Sequence, residues 1–126
     1  MTNDPLAIAR ACHEAYVRKD RAAIEALIAQ EFHFTSPLDN RIDRATYFAR
    51  CWPNSEQTSG FDFVRLVSHG EEVFVTYEGT TRDNHRFRNT EILTIRHAQI
   101  VNAEVYFGWS LPHEAPMGGF VDATKS

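Results

Sequence analysis

The hydrophobic period of this chain changes once, near residue 60, and that change limits the folds open to it. Ahead of the change, apolar side chains recur at helical spacing: Ile8, Cys12, Ala15 and Tyr16, then Ile24, Leu27 and Ile28. Behind it they alternate, as on a strand whose side chains point to opposite faces in turn. Asp4 followed by Pro5 supplies a side-chain acceptor and then a residue with no amide hydrogen to satisfy, so the first helix starts there. Asp20 caps a second, shorter helix. FHFTS, residues 32–36, alternates and reads as a short strand. SPLDNR reads as a turn built on Pro37 and the Asp39-Asn40 pair. Asp43 caps a third helix, roughly Arg44 to Trp52, which Pro53 ends. Four strands follow: Phe61 to Val67, Val73 to Thr80, Arg86 to Arg96 and Ile100 to Trp109. His69-Gly70, Thr81 to His85 and His97-Ala98 fall between them as hairpin turns. Helices first and a meander of strands afterwards predict an α+β fold with an antiparallel sheet. The tail after Leu111, with Pro112, Pro116, Gly118 and Gly119, reads as irregular.

Size and charge exclude several classes. The 126 residues suffice for one domain, spanning 1–126, and not for two cores. The net charge is −4 and the basic residues are scattered, which excludes the basic stripe of a nucleic-acid binder. No apolar run is long enough to cross a membrane. The start, MTNDPLAIAR, lacks the basic-then-apolar order of a signal peptide. Two cysteines, Cys12 and Cys51, are too few for a disulfide framework, so the expectation is a cytoplasmic protein with free thiols. None of the six histidines pairs with another at ligand spacing. His13-Glu14 opens a pattern like HExxH, but its fifth residue is Val17. No metal and no cofactor are expected. There is no CxxC, no glycine-rich phosphate loop and no GxSxG elbow.

The third of the four strands carries a fault in its pattern. One face of residues 86–96 bears Arg86, Arg88, Thr90, Ile92, Thr94 and Arg96, suited to solvent or a partner. The other bears Phe87, Asn89, Glu91, Leu93 and Ile95, suited to a core apart from an amide and a carboxylate.

The element order, together with AYVRKDRAAIEALIAQEFHFTSP near the start and FRNTEILTIRHAQIVNAEVYFG near the end, resembles the nuclear transport factor 2-like superfamily. That superfamily includes ketosteroid isomerase, limonene epoxide hydrolase and the SnoaL-like polyketide cyclases. The resemblance covers about residues 5–110. It implies three N-terminal helices packed on a curved antiparallel sheet that forms a conical pocket, the cystatin-like arrangement. On the concave side the period then places Val73, Val75, Tyr77, Asn89, Glu91, Leu93, Ala103, Val105 and Phe107. Tyr16, Ser36, Phe48 and Trp52, with Cys12 and Phe34, would close the pocket. A small, mostly apolar organic ligand is expected. The resemblance also implies a homodimer packed through the convex face, where Ile92, Thr94, Glu104 and Tyr106 lie.

Glu91 aligns with the protonated carboxylic acid of the ketosteroid isomerase oxyanion hole and with one carboxylate of the limonene epoxide hydrolase triad. A buried carboxyl loses hydration, and one poised near neutral pH serves as a general acid or base. Neither catalytic set is complete. Ser36, before Pro37, stands where the isomerase has its aspartate base. Cys12 stands at its helix tyrosine, and Asn89 and Val105 at the arginine and second acid of the hydrolase. The expectation is therefore cofactor-free acid–base chemistry, an isomerase, cyclase or lyase. Glu91 would carry the proton, Asn89 would orient the substrate, and Tyr77 and Tyr16 are further candidates for polarising a carbonyl. The alternative is a non-catalytic ligand-binding or dimerisation module with Glu91 clamped by an arginine such as Arg65 or Arg10.

Overall fold

A computed structural model of the chain describes residues 4–122. Residues 1–3, where the chain start was read, and 123–126, the end of the predicted tail, lie outside the described residues.

Three helices lead. α1 spans Pro5–Arg18, and the Asp4 side chain accepts from the Leu6 N–H at 3.1 Å. α2, Arg21–Leu27, is capped by Asp20, which accepts from the Ala23 N–H at 3.1 Å. The chain then enters β1, Ile28–Ser36, turns through Pro37-Leu38 into β2, Asp39–Asp43, and reaches α3, Arg44–Arg50. Asp43 caps α3 through the Thr46 N–H at 2.9 Å. A 3-10 helix, Trp52–Gln57, leads into β3, Thr58–His69. β4, Glu72–Thr81, β5, Arg86–Arg96, and β6, Gln99–Leu111, complete one six-stranded sheet in the order β2-β1-β6-β5-β4-β3. The fold is α+β, as predicted.

The structure corrects several local expectations. Ile28 begins β1 rather than ending the second helix. SPLDNR is a hairpin whose second arm is β2, because Asp39, Ile42 and Asp43 pair with β1. α3 stops at Arg50, and Pro53 opens the 3-10 helix, where a missing amide hydrogen costs nothing. The sheet is mixed, not antiparallel throughout: β1 runs parallel to β6, with Phe34 opposite Ala103, while every other pairing is antiparallel. No local pattern encodes that parallel pair, since its strands are far apart in sequence. The β5–β6 turn is His97-Ala98, as predicted, with φ values of 52° and 63°.

The helices cover one face of the sheet. Ile8 and Ala15 of α1, Ile24 of α2, Ile28 and Phe32 of β1, and Val73, Val75, Leu93, Ile100 and Ala103 of the sheet form the core. Each fully buried aliphatic or phenyl side chain there contributes about 1.5–3 kcal/mol relative to an exposed one. The register lines up three rows on the covered face: Val73–Leu93–Ala103, Val75–Glu91–Val105 and Tyr77–Asn89–Phe107. The face assignment read from the two-residue period therefore holds for all nine residues. Among the described residues, no helix is long and apolar enough to cross a membrane.

Candidate functional site

The three rows change character along the sheet. The first is packed core. The last ends at Phe107, 53% exposed. Between that end and the helices lies a cavity of about 390 Å³. Glu91 enters it flanked on the sheet by Val75 and Val105.

Facing Glu91 from α1 is His13. Its Nε2 lies 3.4 Å from Glu91 Oε1, and the two side chains are 7% and 14% exposed. His13 Nδ1 lies 3.0 Å from the Ala9 carbonyl oxygen, one helical turn back. A carbonyl only accepts, so Nδ1 carries a proton and Nε2 is the nitrogen presented to Glu91. The rings of Phe61, Phe63 and Tyr77 pack edge-on around the imidazole, with centroids 5.2, 5.4 and 5.2 Å away. Burial among these rings disfavours the imidazolium. The hydrogen bond and charge of Glu91, with the Ala9 carbonyl, outweigh it and raise the His13 pKa above its ordinary value. Glu91 thus helps His13 keep a second proton, on Nε2.

Tyr77 completes the inner wall. Asn89 Nδ2 donates to its hydroxyl oxygen at 3.3 Å, while Asn89 Oδ1 accepts from the Gly108 N–H at 3.1 Å. The backbone donor fixes the orientation of the amide, and the amide fixes Tyr77. Burial and the Glu91 charge push the Tyr77 phenol up, against the Asn89 hydrogen bond, so its O–H stays a donor at neutral pH. Phe87 reaches the wall beside it because residue 79 is glycine: a Cβ there would meet Phe87 Cζ at 2.4 Å.

At the outer wall, Asp39 follows the β1–β2 turn. Its Oδ2 accepts from Ser36 Oγ at 2.8 Å, and Oδ1 accepts from Arg50 Nε. Burial raises the Asp39 pKa, but hydrogen bonds from Arg50 and Ser36 and the Arg50 charge prevail and lower it.

Of the residues singled out from sequence, Glu91, Asn89, Tyr16, Ser36, Tyr77, Val105 and Phe107 line this cavity. Phe48, Trp52, Val75, Leu93 and Ala103 do not. Val75, Leu93 and Ala103 are 0%, 1% and 3% exposed in the packed half of the sheet, where the helices leave no gap. Phe48 lies under the guanidinium groups of Arg21 and Arg44, and Trp52 packs on Tyr16 and Phe48. Tyr16 spends its hydroxyl hydrogen on the Cys51 carbonyl at 3.2 Å, which removes it as a polarising donor. Asn89 accepts from Gly108 and spends one of its two Nδ2 hydrogens on Tyr77, so it positions Tyr77 and keeps a second N–H. The partner of Glu91 is neither Arg65 nor Arg10; Arg10 lies over the Phe63 ring.

Sequence reasoning missed His13 as a cavity residue; it put Asp39 in a turn near the pocket mouth and gave it the role of an ordinary turn aspartate. The signal for His13 was present, since it follows Ala9 by four residues and precedes Tyr16 by three, on one helix face. Burial raises the thiol pKa of both lining cysteines, with Cys51 pushed up to about 11 by burial and the Asp39 charge, against Arg50. They are weak nucleophiles there. Among the described residues, no three His, Cys, Asp or Glu side chains gather closely enough to hold a metal ion.

Solved structures share this fold. An NTF2-like protein of unknown function from Cytophaga hutchinsonii ATCC 33406 has a TM-score of 0.68 at 15% identity, over 86% of this chain and 93% of the other. A ketosteroid isomerase candidate from Kribbella flavida DSM 17836 has a TM-score of 0.71 at 19% identity, over 89% and 82%. An LEH-like epoxide hydrolase of M. tuberculosis has a TM-score of 0.71 at 13% identity, over 82% of each chain. At these identities the likeness is one of fold. No curated protein sequence matches the chain. The sequence profile described as SnoaL-like domain matches residues 9–103. Three helices on a six-stranded mixed sheet, a fold shared with NTF2-like proteins and a profile over most of the length agree: the chain belongs to the SnoaL-like domain family.

Proposed function

We propose that the cavity takes a small, mostly apolar organic molecule and that the His13–Glu91 pair moves a proton on it, without a cofactor. The observation that carries the reading is the pair itself, a carboxyl and an imidazole facing each other on the wall of an otherwise largely apolar space. In the proposed step Glu91 takes a proton from a C–H bond of the ligand. The electron pair moves toward a ligand oxygen that receives the Tyr77 O–H, and the proton returns at another carbon. Isomerisation uses this whole sequence; cyclisation and elimination share its first step, after which the enolate carbon attacks a second carbonyl of the ligand, whose oxygen takes the proton, or the electron pair expels a leaving group that takes it. His13 holds the carboxyl in place, and Asn89 acts through Tyr77.

Glu91→Gln keeps the shape and removes the base. In a substrate screen of apolar carbonyl compounds, it is expected to lower turnover by about a hundred- to ten-thousand-fold while leaving binding in place. Unchanged turnover would refute the role of Glu91. Binding without turnover of any compound by the unmutated chain would favour the alternative, a carrier module of the same fold.

The same reading includes a homodimer formed through the uncovered face of the sheet. Val67, Phe74 and Ile92 form one cross-strand row there, and Tyr106 lies next to it. Val67 and Tyr106 are more than half exposed, more apolar surface than a solvated sheet face needs. Phe74→Glu is expected to halve the mass seen by light scattering; a monomer before mutation would remove this part. The free thiols of Cys12 and Cys51 support a cytoplasmic location.

A further inference from the structure

We propose that the ligand of this cavity carries a protonated amine and that Asp39 receives it at the outer wall. This rests on the reading of the cavity as a small-molecule site and adds the charge of the molecule.

The Asp39 side chain is 8% exposed, yet it lines the cavity. Each of its oxygens has one partner, Arg50 for Oδ1 and Ser36 for Oδ2. A carboxylate oxygen accepts along two lone-pair directions, so one acceptor position on each remains. The turn does not need them, because Ser36 Oγ already accepts the Leu38 N–H at 3.0 Å. Arg50 does not line the cavity. Its side chain is 56% exposed and approaches from solvent.

The rest of the wall points the same way. Two carboxylates, Asp39 and Glu91, line the cavity, and among the described lining residues there is no lysine or arginine. His13, the lining group able to become cationic, already faces Glu91. An anionic ligand would bring a further negative charge to a wall whose two carboxylates already hold the nearby cations, His13 and Arg50. An ammonium would instead make a charge-assisted hydrogen bond to Asp39. Phe34, on the cavity wall with Tyr47 at a centroid distance of 5.2 Å, adds an aromatic face of the kind that attracts cations.

Three probes of one shape and different heads test this: phenylbutylamine, phenylbutanol and phenylbutanoate, titrated calorimetrically into the full chain. The amine is expected to bind about tenfold or more tighter than the carboxylate. Asp39→Asn should remove that margin and change alcohol binding by less than about threefold. Arg50→Gln strips the compensating charge and should widen the margin, so it decides the matter if Asp39→Asn does not fold. A carboxylate that binds as tightly as the amine, or a margin that survives Asp39→Asn, would overturn the proposal while leaving the small-molecule reading intact. If none of the three probes binds, that underlying reading fails and this one falls with it. No turnover is measured, so failure of the acid–base step leaves the result unaffected.

Discussion

Gly108→Ala is expected to destabilise the protein by about 3 kcal/mol, a large loss for removing no side chain. The reason is a close approach of two backbones. A Cβ on residue 108 would lie 2.1 Å from the Arg88 carbonyl oxygen and 3.1 Å from its carbon. Neither can retreat, because Arg88 is paired with Glu78 on one side and Trp109 on the other. Gly108 is the extra residue of a bulge: Phe107 opposes Asn89 and Trp109 opposes Arg88. The damage should reach the cavity, since the Gly108 N–H holds Asn89 and Asn89 holds Tyr77. Urea unfolding gives the loss, and Gly60→Ala is the control, because a Cβ there meets nothing within 4 Å. A loss at residue 108 no larger than at residue 60 would mean that the bulge yields easily, and the chain of contacts to Tyr77 would lose its support.

The second large effect is in the pH dependence of stability. Folding raises the His13 pKa above its ordinary 6.5. The native state therefore holds this proton more tightly than the unfolded chain. The stabilisation is fully present below about 6.5 and is lost as pH rises through the folded value. Glu91→Gln removes the charge that overcomes burial, so burial, the largest influence on His13, is expected to prevail over the Ala9 carbonyl and bring its pKa below 6.5. The sign then inverts: the variant gains stability as pH rises toward 6.5. At pH 6 the two proteins should differ by about 2 kcal/mol, less than for a fully stranded buried charge, because His13 can release its proton. Unfolding curves between pH 5 and 9 would show it. Parallel stability profiles for the two proteins would mean that His13 and Glu91 are not coupled.

Both effects fall on residues whose importance was only partly visible beforehand. The two-residue period placed Asn89 and Glu91 on the inner face, and the register puts them there, because side-chain alternation is a local property of an extended backbone. What opposes them was not visible in that way. Arginines are the usual partners of a buried carboxylate, yet Glu91 meets a histidine on a helix, which no strand pattern marks. The division of the inner face into packed core at Leu93 and open wall at Asn89 was also hidden, because both residues obey the same alternation. Where the helices stop covering the sheet depends on how α1 and α3 pack, and those contacts join residues distant in sequence.

By itself, then, the sequence determined the order of the three helices and the four later strands, the helix caps at Asp4, Asp20 and Asp43, the His97-Ala98 turn and the inner face of β4, β5 and β6. All of these depend on residues within a few positions of one another. Tertiary structure alone decided that β1 lies parallel to β6, that His13 meets Glu91 and that Ser36 and Arg50 converge on Asp39. Each of these joins side chains or strands through chain closure and packing, and a local pattern holds no record of which distant residue will arrive.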